Sequence, residues 1–172
     1  VYDEVLSYEC PEPFAVTLDL NCALEADFEQ LALSIEKATG KLDGIVHCAG
    51  CFESLSPLVF QTIEEWIKQY RVNTVAPMAL STACLPLLAQ SADASILFVG
   101  ENHAQTPKAY WGAYGASFAA LNYLCQVASE EWQKFPRLRV NVIEPGAIAS
   151  PVREKTHPGE SVRARKEISD VL

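Results

Sequence analysis

Gly44-Ile-Val-His-Cys48-Ala-Gly50 is the stretch that decides the fold. A short β-prone run stopped by a small residue and a glycine reads as a strand ending in a turn. Before it, Phe28, Leu31, Ala32 and Ile35 recur at helical spacing within Asp27–Lys37, and Gly40 stands where a left-handed residue ends a helix. After it, Ile63, Trp66, Ile67, Tyr70, Val75, Met78, Ala79 and Thr82 fall on one face of a helix predicted over residues 62–88. Pro77 and Pro86 argue against that helix being straight. Ser95-Ile-Leu-Phe-Val99 is continuously apolar, as a strand buried on both faces would be. Tyr114, Phe118, Leu121, Leu124 and Ala128 stay in register through a helix predicted over residues 112–134. Leu138-Arg-Val-Asn-Val-Ile143 reads as a strand stopped by Pro145-Gly146. Upstream, Phe14-Ala-Val-Thr-Leu18 predicts a first strand, and the polar segment 159–172 has helical propensity. Strands alternating with helices predict an α/β fold, a three-layer parallel sheet with flanking helices, in a single domain over residues 1–172.

The chain has 172 residues, of which 49% are apolar and 20% charged, so a disordered chain is excluded. A net charge of −9 opposes binding to phosphate backbones, and nucleic acid is not expected as a partner. The basic cluster Arg153–Lys166 is interleaved with Glu154 and Glu160, and Glu167 follows it. No membrane span is expected, because the longest apolar stretch, Thr74–Ala89, is short and broken by Pro77, Ser81, Thr82 and Pro86. No charged leader precedes an apolar run. The six cysteines are therefore expected to be reduced thiols of a cytoplasmic protein.

Four landmarks, in this order, resemble the short-chain dehydrogenase/reductase family. Leu42-Asp-Gly-Ile-Val-His-Cys48-Ala-Gly50 resembles its fourth strand, Val72-Asn73 its structural asparagine, Trp111-Gly-Ala-Tyr114-Gly-Ala-Ser-Phe118 its Tyr-x-x-x-Lys helix, and Arg139-Val-Asn-Val-Ile-Glu-Pro145-Gly146 its sixth strand and Pro-Gly turn. The order and spacing together are specific, although each motif alone is weak. The resemblance implies a Rossmann-like sheet, hydride transfer between alcohols and ketones, and NAD or NADP as cofactor. It places Asp19 and Leu20 beside the adenine, and Cys48, Ala49, Gly50, Pro145, Gly146 and Ile148 on the nicotinamide side.

The departures from the pattern are as informative. Asn73 and Tyr114 match the family's catalytic groups. The serine expected thirteen residues before the tyrosine is Glu101, and the lysine expected four residues after it is Phe118. The family lysine lowers the tyrosine pKa from its usual value near 10 and holds the nicotinamide ribose; Phe118 can do neither. Glu101 disfavours a phenolate and repels the oxyanion that serine would stabilise. The eight glycines contain no diphosphate-binding Thr-Gly-x-x-x-Gly-x-Gly turn, so cofactor binding is expected to be weak or absent. The resemblance also lacks the family's first βα unit and last strand, so the sheet is expected to be incomplete. Two unpaired edges would be an aggregation hazard. The expected resolution is that the sequence is part of a longer protein.

This reading gives a homologue of short-chain oxidoreductases that is catalytically impaired or inactive. A non-catalytic scaffold is the alternative, with a homo-oligomer formed through the helices over 62–88 and 112–134. A thiol-redox role for the C-x-x-C pair Cys48 and Cys51 is a lesser one. No metal site is expected, since His47 faces away from Cys48 on its strand. His103 is read either as a replacement acid/base or as a solvated loop histidine. Trp111 and Tyr110 are read as core or interface residues.

Overall fold

The computed structural model describes residues 13–167. Helix α1 spans Glu25–Thr39 and ends at Gly40, whose φ of 70° supplies the left-handed cap expected of it. Strand β1 (Gly44–His47) follows, then α2 (Ile63–Tyr70), whose start is fixed by a reciprocal box. The Thr62 side chain accepts from the Glu65 N–H, and the Glu65 carboxylate accepts from the Thr62 N–H. Helix α3 (Ala76–Leu88), strand β2 (Ala94–Val99), helix α4 (Gly112–Glu131), strand β3 (Leu138–Ile143) and helix α5 (Pro151–Thr156) complete the order.

The three strands are parallel and ordered β1-β2-β3. Gly44 pairs with Ser95 and His47 with Phe98; Ala94 pairs with Leu138 and Val99 with Ile143. The core lies where α3 and α4 meet β2, with Cys84, Leu88, Ile96, Phe98, Leu121 and Cys125 buried together. Along β2, burial alternates. Ala94, Ile96 and Phe98 are buried, whereas Ser95, Leu97 and Val99 are only half-buried. The two-face burial expected of this strand is therefore realised on one face, against the described helices.

Three further expectations are corrected. Phe14–Leu18 forms no strand, and Phe14 is 67% exposed. A β-prone run gains a ladder only beside a partner, and no described strand lies next to it. The helix over 62–88 is not one helix with one apolar face. Between α2 and α3, residues Arg71–Val75 form a wide turn in which the Ala76 N–H donates to the Arg71 carbonyl, one residue further back than in an α-helix. Pro77 supplies the cause, because it has no N–H to give the carbonyl four residues earlier, that of Asn73. Beyond the wide turn the faces change, leaving Ile63 and Ile67 72% and 58% exposed while Ala76, Cys84 and Leu88 are buried. Finally, the helical propensity of 159–172 yields only a short turn at Val162–Ala164, and residues 168–172 lie outside the described residues. Helix formation begins earlier, at Ser150, whose hydroxyl accepts from the Arg153 N–H, with Pro151 in the first helical position.

Candidate active site

The loops after β1, β2 and β3 lie at one end of the parallel sheet, the end at which α/β sheets bind ligands. Asn73 organises the first loop. Fully buried in the wide turn, it accepts from the Cys51 N–H at 2.6 Å and donates to the Cys51 carbonyl at 2.9 Å. Its amide also donates to the Ser117 hydroxyl at 3.0 Å, and that hydroxyl donates to the Tyr114 carbonyl at 2.8 Å. Next to it, the Thr74 hydroxyl donates to the Ser117 carbonyl at 2.7 Å. Asn73 thus fastens the end of β1 to the first turns of α4.

Tyr114 is buried within a group of rings. Phe52 and Phe118 meet it edge-on at 5.3 and 5.0 Å, and Trp111 is tilted against it at 5.8 Å. Burial pushes the Tyr114 phenol well above its ordinary pKa, and the charges of Glu101 and Cys51 push it the same way. The position where the family carries lysine is filled by the Phe118 ring. A methyl group added at Gly50 would lie 3.8 Å from that ring and 4.0 Å from Asn73 Oδ1, so ring and strand end are in near contact.

Glu101 follows β2. Its carboxylate accepts from the His103 N–H at 3.3 Å and from His103 Nδ1 at 2.7 Å. His103 is buried and stacks flat on Trp111, with centroids 3.5 Å apart. This overturns its reading as a solvated loop histidine. Trp111 is a buried residue as expected, whereas Tyr110 is exposed and adopts a φ of 78° at the entry to α4.

The cofactor-side residues are spread over three places. Asp19 closes a turn, its carboxylate accepting from the Asn21 N–H at 2.9 Å. Leu20 lines an apolar cavity of about 340 Å³ with Phe28, Tyr70 and Arg71. Cys48, Ala49 and Gly50 are exposed beyond β1. Pro145 is half-buried, and Gly146 makes its turn with a φ of 81°. Ile148 bridges to Lys166, which ties the segment after that turn back on itself. Within this segment Arg153 and Arg165 both donate to Glu160.

The Cys48 and Cys51 thiols are both free. Burial and Glu53 raise the Cys51 pKa, the wrong direction for a redox-active thiolate. Among the described residues no cluster of three or more His, Cys, Asp or Glu residues has metal-binding geometry, and no helix is long and apolar enough to cross a membrane.

Sequence reasoning missed Ser117, Phe52 and His157. Ser117 carried a faint signal, one turn beyond the tyrosine on the same helix. His157 carried none, because its ring meets those of Trp111 and His103 only through the fold, at 5.6 and 6.0 Å.

A parallel sheet of order β1-β2-β3 with helices packed on it, its loops gathered at one end, is a Rossmann-like fold. The chain belongs to the short-chain dehydrogenase family, whose family model matches residues 6–161. It is 34% identical over 161 residues to the uncharacterized oxidoreductase YciK of Escherichia coli, covering 94% of this chain and 63% of that protein. A short chain dehydrogenase from Salmonella enterica serovar Typhi superimposes with a TM-score of 0.93 at 31% identity, over 98% of this chain and 69% of that one. A further Escherichia coli structure, complexed with NADPH, gives a TM-score of 0.88 at 34% identity, over 93% of this chain and 66% of that one. The chain thus spans between about half and two thirds of the length of the relatives it matches.

The family implies a nicotinamide cofactor, and two of the described residues, Phe118 and Glu101, offer it no hydrogen-bond donor. Where a ribose hydroxyl would need a donor, Phe118 presents a buried phenyl edge, and the carboxylate of Glu101 stands in the position of the family serine.

Proposed function

We propose that this chain keeps the architecture of a short-chain oxidoreductase without its proton-transfer chemistry, and that it does not reduce ketones at neutral pH. The observation that carries this reading is the pairing of Tyr114 with Phe118. A phenol that must exchange a proton is buried against a ring, and burial and the Glu101 carboxylate both oppose its ionisation. NAD and NADP bind weakly or not at all to these residues, because Phe118 offers no donor to a ribose hydroxyl and Glu101 offers only a carboxylate.

The test is NADPH and NADH oxidation by the purified protein against a panel of ketones, beside the double variant Glu101→Ser with Phe118→Lys. No turnover by the parent and measurable turnover by the repaired protein is the expected outcome. Equal activity in the two would show that these positions do not limit the chemistry. Nucleotide titration followed by tryptophan fluorescence is expected to show no saturation below about 100 μM.

A second reading, a scaffold that self-associates, is favoured by a separate observation. Leu58, Val59, Phe60, Ile63 and Ile67 are all more than half exposed within ten residues at and before α2, and Tyr123 is exposed on α4. Such a concentration of apolar surface marks an interaction site, and a second copy of the chain is the partner.

A further inference from the structure

The cavity of about 340 Å³ that Leu20 helps to line is walled by α1 and the turn before it on one side, and by the end of α2 and the wide turn on the other. Phe28 and Ala76 are buried walls, whereas Ile67 and Val75 are each more than half exposed and leave it open to solvent. Amid this carbon surface stands one cation. Arg71 opens the wide turn, an irregularity of a kind that recurs at functional sites. Its guanidinium donates to the Ala23 carbonyl at 2.9 Å, and among the described residues no carboxylate comes within ion-pair distance of it. Arg139, Arg153 and Arg165, by contrast, each hold a carboxylate. Tyr70, also on the wall, stacks its ring on Trp66 at 6.2 Å, while its hydroxyl bonds to no described residue. The cavity thus offers donors and a fixed positive charge, and no carboxylate lines it.

We propose that this cavity binds a small amphipathic acid, an apolar body of about ten heavy atoms ending in a carboxylate, with Arg71 on the head group and the walls on the body. The size follows from the volume, at roughly 30 Å³ for each methylene- or water-sized group. The charge follows from Arg71. A guanidinium is protonated at every pH at which the fold persists, and its planar fork matches the two oxygens of a carboxylate. Covering the apolar walls with hydrocarbon supplies the rest of the affinity, a gain that a compact inorganic ion would not make. A neutral ligand of the same body leaves the charge unused, and a cation is repelled by it. Asn73, Glu101, Tyr114 and Phe118 do not line the cavity. The inference therefore concerns binding away from those residues and stands whether or not the chain turns over a carbonyl compound.

Sodium octanoate, 1-octanol and octylammonium, alike in body and different in charge, test it. Binding is followed by isothermal titration calorimetry and by methyl NMR at Ile67, Val75 and Ala76. Octanoate is expected to shift those methyls and to bind roughly ten-fold tighter than 1-octanol, the margin set by one charge-assisted hydrogen bond; octylammonium is expected to bind more weakly than either. Arg71→Met keeps an unbranched stem but removes the charge, and should bring octanoate within about two-fold of 1-octanol. Val75→Trp narrows the opening and should weaken octanoate and 1-octanol alike. Absence of octanoate binding, octanoate no tighter than 1-octanol, or an unchanged preference in Arg71→Met would each overturn the proposal, as would full binding by Val75→Trp. Displacement of octanoate by adenosine monophosphate would overturn it too, giving the cavity to a nucleotide. A parent dimer that excludes octanoate would give it to a second copy of the chain. Should Arg71→Met fail to fold, the parent's preference for octanoate and the loss in Val75→Trp decide the matter together.

Discussion

The side-chain amide of Asn73 donates to the hydroxyl of Ser117 at 3.0 Å, across 44 residues of sequence, and both groups are completely buried. Through Cys51 on one side and the Tyr114 carbonyl on the other, this bond joins β1 to α4. Because its partners are buried and include backbone groups of two separate segments, it is part of the scaffold.

Asn73→Ala is therefore expected to destabilise the fold by about 2–4 kcal/mol, since it leaves the Cys51 N–H and carbonyl and the Ser117 hydroxyl short of partners. Urea unfolding followed by circular dichroism measures the loss. A change within about 0.5 kcal/mol would mean that water replaces the amide at no cost.

Tyr114 is expected to remain a neutral phenol throughout the range in which the protein stays folded, because burial and Glu101 both raise its pKa. Phe118→Lys puts a cation beside the ring and should bring ionisation down by about 1–3 pH units. Ultraviolet difference titration at the phenolate band, with Tyr114→Phe as the blank, reads the change directly.

His47 gives the fold an acid limit. Its ring stacks on Phe98 at 4.7 Å, hydrogen bonds to the Ser81 hydroxyl at 2.8 Å, and is held by burial at a pKa of about 4 against 6.5 when free. A folded-state pKa below the unfolded one means that the unfolded chain takes up the proton first. Stability from this group is complete above about pH 6.5 and falls as the pH drops toward 4, by at most about 3 kcal/mol. Urea midpoints at pH 7 and pH 4.5 should differ accordingly, and His47→Gln should flatten the difference between them.

Ile67→Glu, placed in the exposed apolar stretch of α2, is expected to shift sedimentation toward the monomer without lowering the melting temperature by more than a few degrees. A parent protein that sediments as a monomer at micromolar concentration would remove the self-association reading.

Much of this architecture was legible because it is local. The Gly40 cap, the apolar run at 95–99 and the strand before Pro145-Gly146 each depend on neighbours in sequence, and each was placed within a residue or two. Phe14–Leu18 was misread because a strand exists only with a partner, and partnership is not a local property. His103 was ambiguous for a related reason: its burial comes from Trp111, eight residues on, and from His157, on a segment with no recognisable pattern. The substitutions at Glu101 and Phe118 could be read from the chain, but the ring cluster that Phe118 joins could not.

The wide turn at Arg71–Val75 has a consequence for how this region can evolve. It places one surplus residue between two helices, so α2 and α3 are out of phase by about 100° of rotation. Deleting a single residue there would bring the two helices into phase, with Pro77 still leaving one hydrogen bond unmade, but it would swing either the exposed isoleucines inward or the Cys84 side outward. Substitutions on α2 and α3 are thus insulated from each other, one helix free to change with whatever it meets outside and the other bound to the sheet beneath it.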